Sequence, residues 1–308
     1  MYAIKVRQFR KRYGDLEAVR GIQFEVEPGE LFGIIGPDGA GKTTLLRALC
    51  TLLLPDDGEI LINGLNTRHH VADIRQIIGY MPQRFSLYQD LTVEQNLNFF
   101  ADLFQVPEDE RRARLEQLYR FSRLGPFKKR AAGALSGGMK QKLALSCALI
   151  HTPDILILDE PTFGVDPVSR QEFWDILRDI QRQGTTIVVS TAYMEEADLC
   201  DRVMLFHQGR ILALDQPSAL KAQYRFPLYR IEADHLPEMQ TYFAGLSGVR
   251  FIQRFGDSLH VSFTREPGDD LWQTARDQGL QRFERIAPSI EDIFMDLTTR
   301  EEHESVEH

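Results

Sequence analysis

Over the first 25 residues apolar and polar side chains alternate (Ile4 and Val6; Ile22, Phe24 and Val26), the period of antiparallel strands with one covered face. Leu31–Ile35 is a short unbroken apolar run followed by glycine, which predicts a strand buried on both faces. Leu45, Leu46 and Leu49 then mark a helix. Residues 92–123 predict a helical stretch, with Thr92 as its cap and Val93, Leu97 and Phe100 at helical spacing. A further helix is predicted over about 138–150, then a buried strand over 155–158. A helix ending near Gly184 leads to another buried strand over 186–190. Strands alternating with helices predict a parallel sheet covered on both faces.

The pattern changes over 217–227. A strand (Tyr229, Ile231, Ala233) and a helix (Leu236, Met239, Phe243) follow, then two strands (251–255 and 259–263) joined near Gly256 and Asp257. A helix around Leu271 and Trp272 leads to a strand near 283–286. The closing helix carries Ile290, Ile293, Phe294 and Leu297 on one face. Strand–helix–strand–strand–helix–strand predicts a small ferredoxin-like accessory domain. Residues 301–308 (EEHESVEH) are acidic and predict a disordered tail.

Composition narrows the function. At 308 residues the chain holds about two domains. None of its apolar runs reaches the ~18 residues of a spanning helix. The N-terminus is basic without the apolar centre of a signal peptide, so the expectation is a cytosolic chain that does not cross the membrane by itself. A net charge of −9 argues against nucleic acid as the main partner. Cys50, Cys147 and Cys200 are scattered and odd in number, which predicts buried reduced thiols. His69 and His70 have no partner at ligand spacing and read as solvated.

The chemistry begins after the first buried strand. Gly36-Pro37-Asp38-Gly39-Ala40-Gly41-Lys42-Thr43, followed by Thr44, fits G-x-x-x-x-G-K-[ST] between a strand and a helix. Glycines let backbone N–H groups turn inward around phosphate oxygens, and the helix N-terminus adds partial positive charge. Lys42 would set its ammonium against the β- and γ-phosphates, and Thr43 would offer a hydroxyl to Mg²⁺. On the strand over 155–158 follow Asp159, placed to hold Mg²⁺ through water, and Glu160, placed to polarise the attacking water. An acidic pair at a strand end is common by itself; with the phosphate cradle upstream it gains this meaning.

Between the two stands Leu135-Ser136-Gly137-Gly138-Met139-Lys140-Gln141. Small residues at a helix start can simply cap it. Placed some twenty residues before a hydrophobic strand ending in Asp-Glu-Pro, however, this stretch resembles the signature motif of ABC ATPases. The resemblance covers roughly residues 1–215 and implies a RecA-like P-loop NTPase core with an antiparallel β-subdomain and a helical subdomain (about 84–150). The expected domains are an ATPase domain over 1–220, an accessory α+β domain over 221–300, and the tail over 301–308. The resemblance implies ATP and Mg²⁺ as cofactors. Tyr13 would stack on adenine, Gln83 (Tyr80-Met-Pro-Gln83) would touch Mg²⁺ and sense the nucleotide, and Gly164-Val-Asp166 would cross to a second ATPase subunit. Ser136, Gly137 and Gly138 would reach the γ-phosphate held by that opposite subunit, so a single chain is expected to be nearly inactive. The segment around Phe85, Leu87, Tyr88 and Leu91 would receive a helix of membrane-spanning permease subunits, on the cytoplasmic side of a bacterial inner membrane. GPDGAGKTTL, LSGGMKQKL and the ending Ala287-Pro-Ser-Ile-Glu-Asp-Ile-Phe294 resemble ATPases of bacterial multidrug-type exporters, closest to the first half of tandem proteins. Two rivals stand beside the transport engine: a non-transport ABC protein, and a regulator that senses ATP without useful turnover.

One position departs from the family. The strand ending Ser190-Thr191 is usually followed by a histidine that contacts the γ-phosphate; here Ala192 follows. The alternatives are natural degeneracy, an engineered substitution, and compensation by another residue. Losing one charge-stabilising contact costs on the order of 10²–10³ in rate. The missing histidine belongs to the site built on Lys42, whereas Ser136 serves the partner's site. In an assembled heterodimer, Ser136→Arg should therefore lower ATP turnover more than Lys42→Ala; equal losses would count against the asymmetry.

Overall fold

The computed structural model describes residues 1–84 and 87–306, with side chains through residue 299. The chain divides into two compact units, Met1–Ile211 and Leu212–His308. In the first, β1 (Ile4–Tyr13) and β2 (Leu16–Val26) form the expected antiparallel pair, followed by β3 (Leu31–Ile35) and α1 (Lys42–Leu49). Then come β4 (Asp57–Ile62), β5 (Leu65–Asn66), α2 (Val71–Ile77) and β6 (Ile78–Met81). Three helices follow: α3 (Val93–Leu103), α4 (Glu108–Ser122) and α5 (Gly137–Leu149). The rest of the unit is β7 (Ile155–Asp159), α6 (Pro167–Arg182), β8 (Thr186–Thr191), a 3₁₀ turn (Met194–Leu199), β9 (Arg202–His207) and the start of β10 (Arg210–Asp215).

Two sheets organise this unit. One is antiparallel, in the order β2-β1-β4-β5. The other runs β10-β9-β3-β8-β7-β6, and β9, β3, β8, β7 and β6 are mutually parallel, each pairing in continuous register. Every residue of β3, β7 and β8 is buried, as strands covered on both faces require. The parallel arrangement puts the C-terminal ends of β3, β8 and β7 side by side, where open α/β sheets gather their ligand groups.

The stretch over 92–123 is two helices, not one. Pro107 disfavours helix at Val106 and has no N–H to give, and Gln105 adopts φ 53°, so the chain turns between α3 and α4. Thr92 caps α3 as expected: it accepts from Gln95 N, while the Gln95 side chain accepts from Thr92 N. The helices α3, α4 and α5 enclose their own apolar core around Leu97, Leu118, Tyr119, Leu143 and Cys147. All three cysteines are free and buried, and His69 and His70 are exposed.

The second unit contains α7 (Pro217–Gln223), β11 (Leu228–Ala233), α8 (Leu236–Ala244), β12 (Val249–Phe255), β13 (Ser258–Phe263), α9 (Asp269–Asp277), β14 (Leu280–Arg285) and α10 (Ile290–Val306). Its antiparallel sheet has the order β12-β13-β11-β14. A cluster of rings holds it together: Trp272 stacks on Phe283 at 4.0 Å and packs against Tyr229, Phe243 and Phe263. The helix α10 buries two acids beside its apolar residues, both paired. Asp292 bonds His260 Nδ1 at 2.8 Å, and Asp296 accepts from Arg250 Nε at 2.7 Å. The acidic stretch expected to be disordered continues α10 as far as Val306, because glutamate prolongs a helix already nucleated upstream. Phe243 is fully buried in the ring cluster, so Phe243→Ala should cost about 3–5 kcal/mol. Denaturant unfolding followed by tryptophan fluorescence would show it as a lowered midpoint.

Candidate functional site

The loop after β3 is shaped by contacts that leave no room for side chains. A Cβ on Gly36 would lie 2.0 Å from the Phe206 carbonyl oxygen. Gly41 has φ 105°, and a Cβ there would meet the Ala18 carbonyl at 2.5 Å. With these two glycines the chain folds back under the start of α1, and Lys42 reaches the loop from the inside. Its Nζ donates to the carbonyls of Gly36 (2.7 Å) and Pro37 (3.0 Å) and pairs with Glu160 Oε1 at 3.0 Å. Both members of this ion pair are buried.

The carboxylates at the end of β7 are held by β8. Ser190 Oγ donates to Asp159 Oδ1 at 2.8 Å and accepts from Glu160 N at 3.1 Å. Thr43 Oγ1 donates to the same Asp159 oxygen at 3.2 Å. Burial raises the Asp159 carboxyl above the ordinary aspartate range, and the bonds from Ser190 and Thr43 work against that shift. Glu160 sits at φ 48°, a left-handed backbone costing about 1–3 kcal/mol in a non-glycine residue. Gln83 Nε2 donates to Glu160 Oε2 at 2.8 Å.

One cleft of ≈ 630 Å³ collects most of the residues singled out in the sequence: Tyr13, Asp38, Gly39, Ala40, Gly41, Lys42, Thr43, Thr44, Gln83 and Glu160. Gly36 and Pro37 take part through their carbonyls, and Asp159 lies behind Thr43. Ser136, Gly137 and Gly138 do not line this cleft. Ser136 caps α5 by accepting from Met139 N, and Gly138 is buried where a Cβ would come within 2.6 Å of Ser169. Tyr88 is half exposed with its ring against Phe99; Phe85 lies outside the described residues. Ala192 follows β8 and offers only a methyl group.

Sequence reasoning missed three groups here. Ser190 joins the Asp159 carboxylate to the backbone N–H of Glu160, and Arg20 and the Gln208–Gly209 turn line the cleft. No local pattern marks them, since each arrives from a distant strand or turn.

The donor set fits Mg²⁺. Among the described residues Asp159 Oδ2 is buried without a hydrogen-bond partner; the Thr43 hydroxyl bonds the other oxygen of that carboxylate, and Gln83 bonds the neighbouring Glu160. Among the described residues no group of three or more His, Cys, Asp or Glu could form a cage of side chains. Mg²⁺ needs no such cage, because it commonly takes one or two carboxylates and completes its shell with phosphates and water.

Comparison with known proteins agrees with this geometry. The family model described as "ABC transporter" matches residues 19–163. A second, "ATP-binding protein DrrA1-3-like, C-terminal domain", matches residues 216–298. The probable multidrug ABC transporter ATP-binding protein YbhF of Escherichia coli is 44% identical over 223 residues. That match covers 71% of this chain but only 38% of YbhF. The Nod factor export ATP-binding protein I of Ralstonia nicotianae is 36% identical over 307 residues, 97% of this chain and 94% of that protein. Among solved structures, cbiO1 from Clostridium perfringens, part of the ABC transporter complex cbiONQ, is similar with a TM-score of 0.65 and 30% identity. It covers 72% of this chain and 91% of its own. The ATP-binding cassette MJ0796, a dimer bound to ADP and Pi, gives 0.63 and 26%, covering 69% and 98%.

The two kinds of glycine should behave differently. Gly41→Ala meets both a positive φ and a backbone carbonyl, so it should weaken ATP binding at least ~10-fold by equilibrium dialysis. Gly137→Ala meets nothing within 4 Å and should leave ATP binding to the single chain unchanged.

Proposed function

The chain belongs to the ABC transporter family as an ATP-binding subunit, and on that basis we propose that it hydrolyses ATP to drive export through separate membrane-spanning subunits. The observation that carries this reading is the cleft in which Lys42, Thr43, Gln83 and Glu160 meet. In the proposed cycle the inward-turned N–H groups of the 36–44 loop hold the phosphates, and Tyr13 stacks on the adenine. The charge of the γ-phosphate draws the Lys42 ammonium away from Glu160. The freed carboxylate, oriented by Gln83 and by its own strained backbone, polarises the attacking water. Mg²⁺, held by Thr43, Gln83 and Asp159, would supply charge neutralisation to the phosphates.

Ser136, Gly137 and Gly138 serve in this reading as the lid of a second subunit's site, consistent with their not lining the chain's own cleft. Two ATP molecules are then sandwiched between two ATPase domains. Because Ala192 offers no polar group to the γ-phosphate, the site on Lys42 is weak, and the competent site of a heterodimer lies on the partner. The names of the relatives support export: one is a probable multidrug transporter component and another a Nod factor exporter component. No described helix is long and apolar enough to cross a membrane, and in this reading the chain is a peripheral subunit on the cytoplasmic side of the inner membrane. We place the ATPase domain over about 1–220, with its helical subdomain over about 84–150. The accessory domain over about 221–300 we read as ferredoxin-like, from the succession β11-α8-β12-β13-α9-β14 and its strand order.

A second reading, an ATP sensor without useful turnover, is favoured by Ala192 alone. One experiment separates the two: Mg²⁺-ATP hydrolysis by the native chain and by Ala192→His, in the isolated chain and in the transporter assembly. The engine reading expects turnover by the assembly and a gain of at least ~10-fold from histidine in the isolated chain. A native assembly that binds ATP without turning it over would establish the sensor. Brisk hydrolysis by the isolated native chain, unimproved by histidine, would remove the degenerate site and favour a working homodimer.

A further inference from the structure

The carboxylate of Glu196 is 1% exposed, although it lies on the 3₁₀ turn directly behind Ala192. Burying a carboxylate is costly unless other groups hold it, so its partners indicate why it is there. Oε1 accepts from the Thr162 hydroxyl at 2.8 Å and lies 3.8 Å from Arg170 Nε, while Oε2 makes no hydrogen bond among the described residues. Thr162 is the second residue after Glu160, and its carbonyl accepts from Val165 N at 3.1 Å, opening the turn that carries Gly164 and Asp166. Arg170 stands in the first turn of α6. Its N–H donates to the Asp166 carbonyl, and the Asp166 side chain caps the helix by accepting from Ser169 N at 2.9 Å.

The same guanidinium lies 4.0 Å from the centre of the Tyr193 ring and donates to Glu195 at 3.2 Å. One arginine thus touches Tyr193, Glu195 and Glu196, all in the four residues after position 192. The result is a bolt between three segments that sequence keeps apart: the end of β7 with Glu160, the loop and helix start over 163–170, and the stretch after β8.

We propose that Glu196, acting through Thr162 and Arg170, is a positioning residue that keeps Glu160 and the 163–166 loop in register with the segment at Ala192. The proposal rests on the ATPase reading above and deepens it. Where family members place a histidine on the γ-phosphate, this chain has no polar side chain at 192, so the segment is fixed from behind, by the Tyr193–Arg170 stack and the buried carboxylate. Glu196 does not line the cleft that Lys42 and Glu160 share. It acts on rate by holding other groups in place, and small displacements of reacting groups are expensive in rate.

The test uses the full chain isolated with its native membrane partners, with Glu196→Gln, Arg170→Lys and the double variant. Glu196→Gln keeps an oxygen for Thr162 but removes the charge facing Arg170; Arg170→Lys keeps the charge but loses the planar stack on Tyr193. Because the competent site of that assembly lies on the partner in this reading, each single variant should act through the 163–166 loop that crosses to it. Each should lower kcat about 10-fold or more while KM for ATP stays within about twofold, and the double variant should be no worse than the weaker single. Thermal midpoints should remain within a few degrees of the native value. An unchanged kcat in the single variants, losses that multiply in the double variant, or a KM that rises in step with the loss of rate would each overturn the proposal. If Glu196→Gln fails to fold, Arg170→Lys decides alone by the same split of kcat from KM. Absence of turnover in the unaltered assembly would overturn the ATPase reading and this proposal together, whereas turnover indifferent to these substitutions would overturn this proposal only.

Discussion

The buried ammonium of Lys42 constrains more of the first unit than any other single group. A charge with 4% exposure must be surrounded by oxygens, and it finds them in two loop carbonyls and the Glu160 carboxylate. For the carbonyls to point inward, the chain must pass the Phe206 carbonyl at Gly36 and take a left-handed turn at Gly41, which only glycine does without strain. For Glu160 to be in reach, β7 must lie one strand away from β3, with β8 between them, and the C-terminal ends of all three must coincide. Sheet order, loop shape and the strained backbone at Glu160 thus serve one electrostatic requirement.

The same requirement explains why β8 matters beyond its burial. Ser190 on its end bonds to Asp159 and to the backbone of Glu160, so the central strand sets both carboxylates. Two residues later the polar chemistry stops at Ala192, and the next ones turn to Arg170 and Thr162 instead. In the reading proposed above, the site lacks one phosphate contact and keeps its other groups aligned through this anchoring.

The second unit is held in a different way. Its rings, Tyr229, Phe243, Phe263, Trp272 and Phe283, form the apolar centre, and two buried acids on α10 fix that helix to the sheet through His260 and Arg250. Burying both acids in pairs gives the helix a defined position that apolar contacts alone would leave free to slide.

Much of this was legible in the residues themselves. The alternating and unbroken apolar runs located β1, β2, β3, β7, β8 and the strands of the second unit, because strand burial writes its period directly into the sequence. The glycine-rich stretch 36–44 and the pair Asp159-Glu160 stood out by residue type and spacing and Gln83 by the family resemblance, and the fold brings them to one cleft. The break at Pro107 and the length of α10 were not read correctly, because helical spacing continues through a turn and composition does not report a helix nucleated upstream. The groups that only the tertiary structure brings together are those whose meaning lies in a partner far along the chain. Ser190 with Asp159, Lys42 with Glu160, and Glu196 with Thr162 and Arg170 are examples. Sequence determined which strands would be buried and which residues could hold a phosphate. Folding decided which of them share a charge, because electrostatic pairing depends on distance in space, and the distance is set by strand order rather than by spacing along the chain.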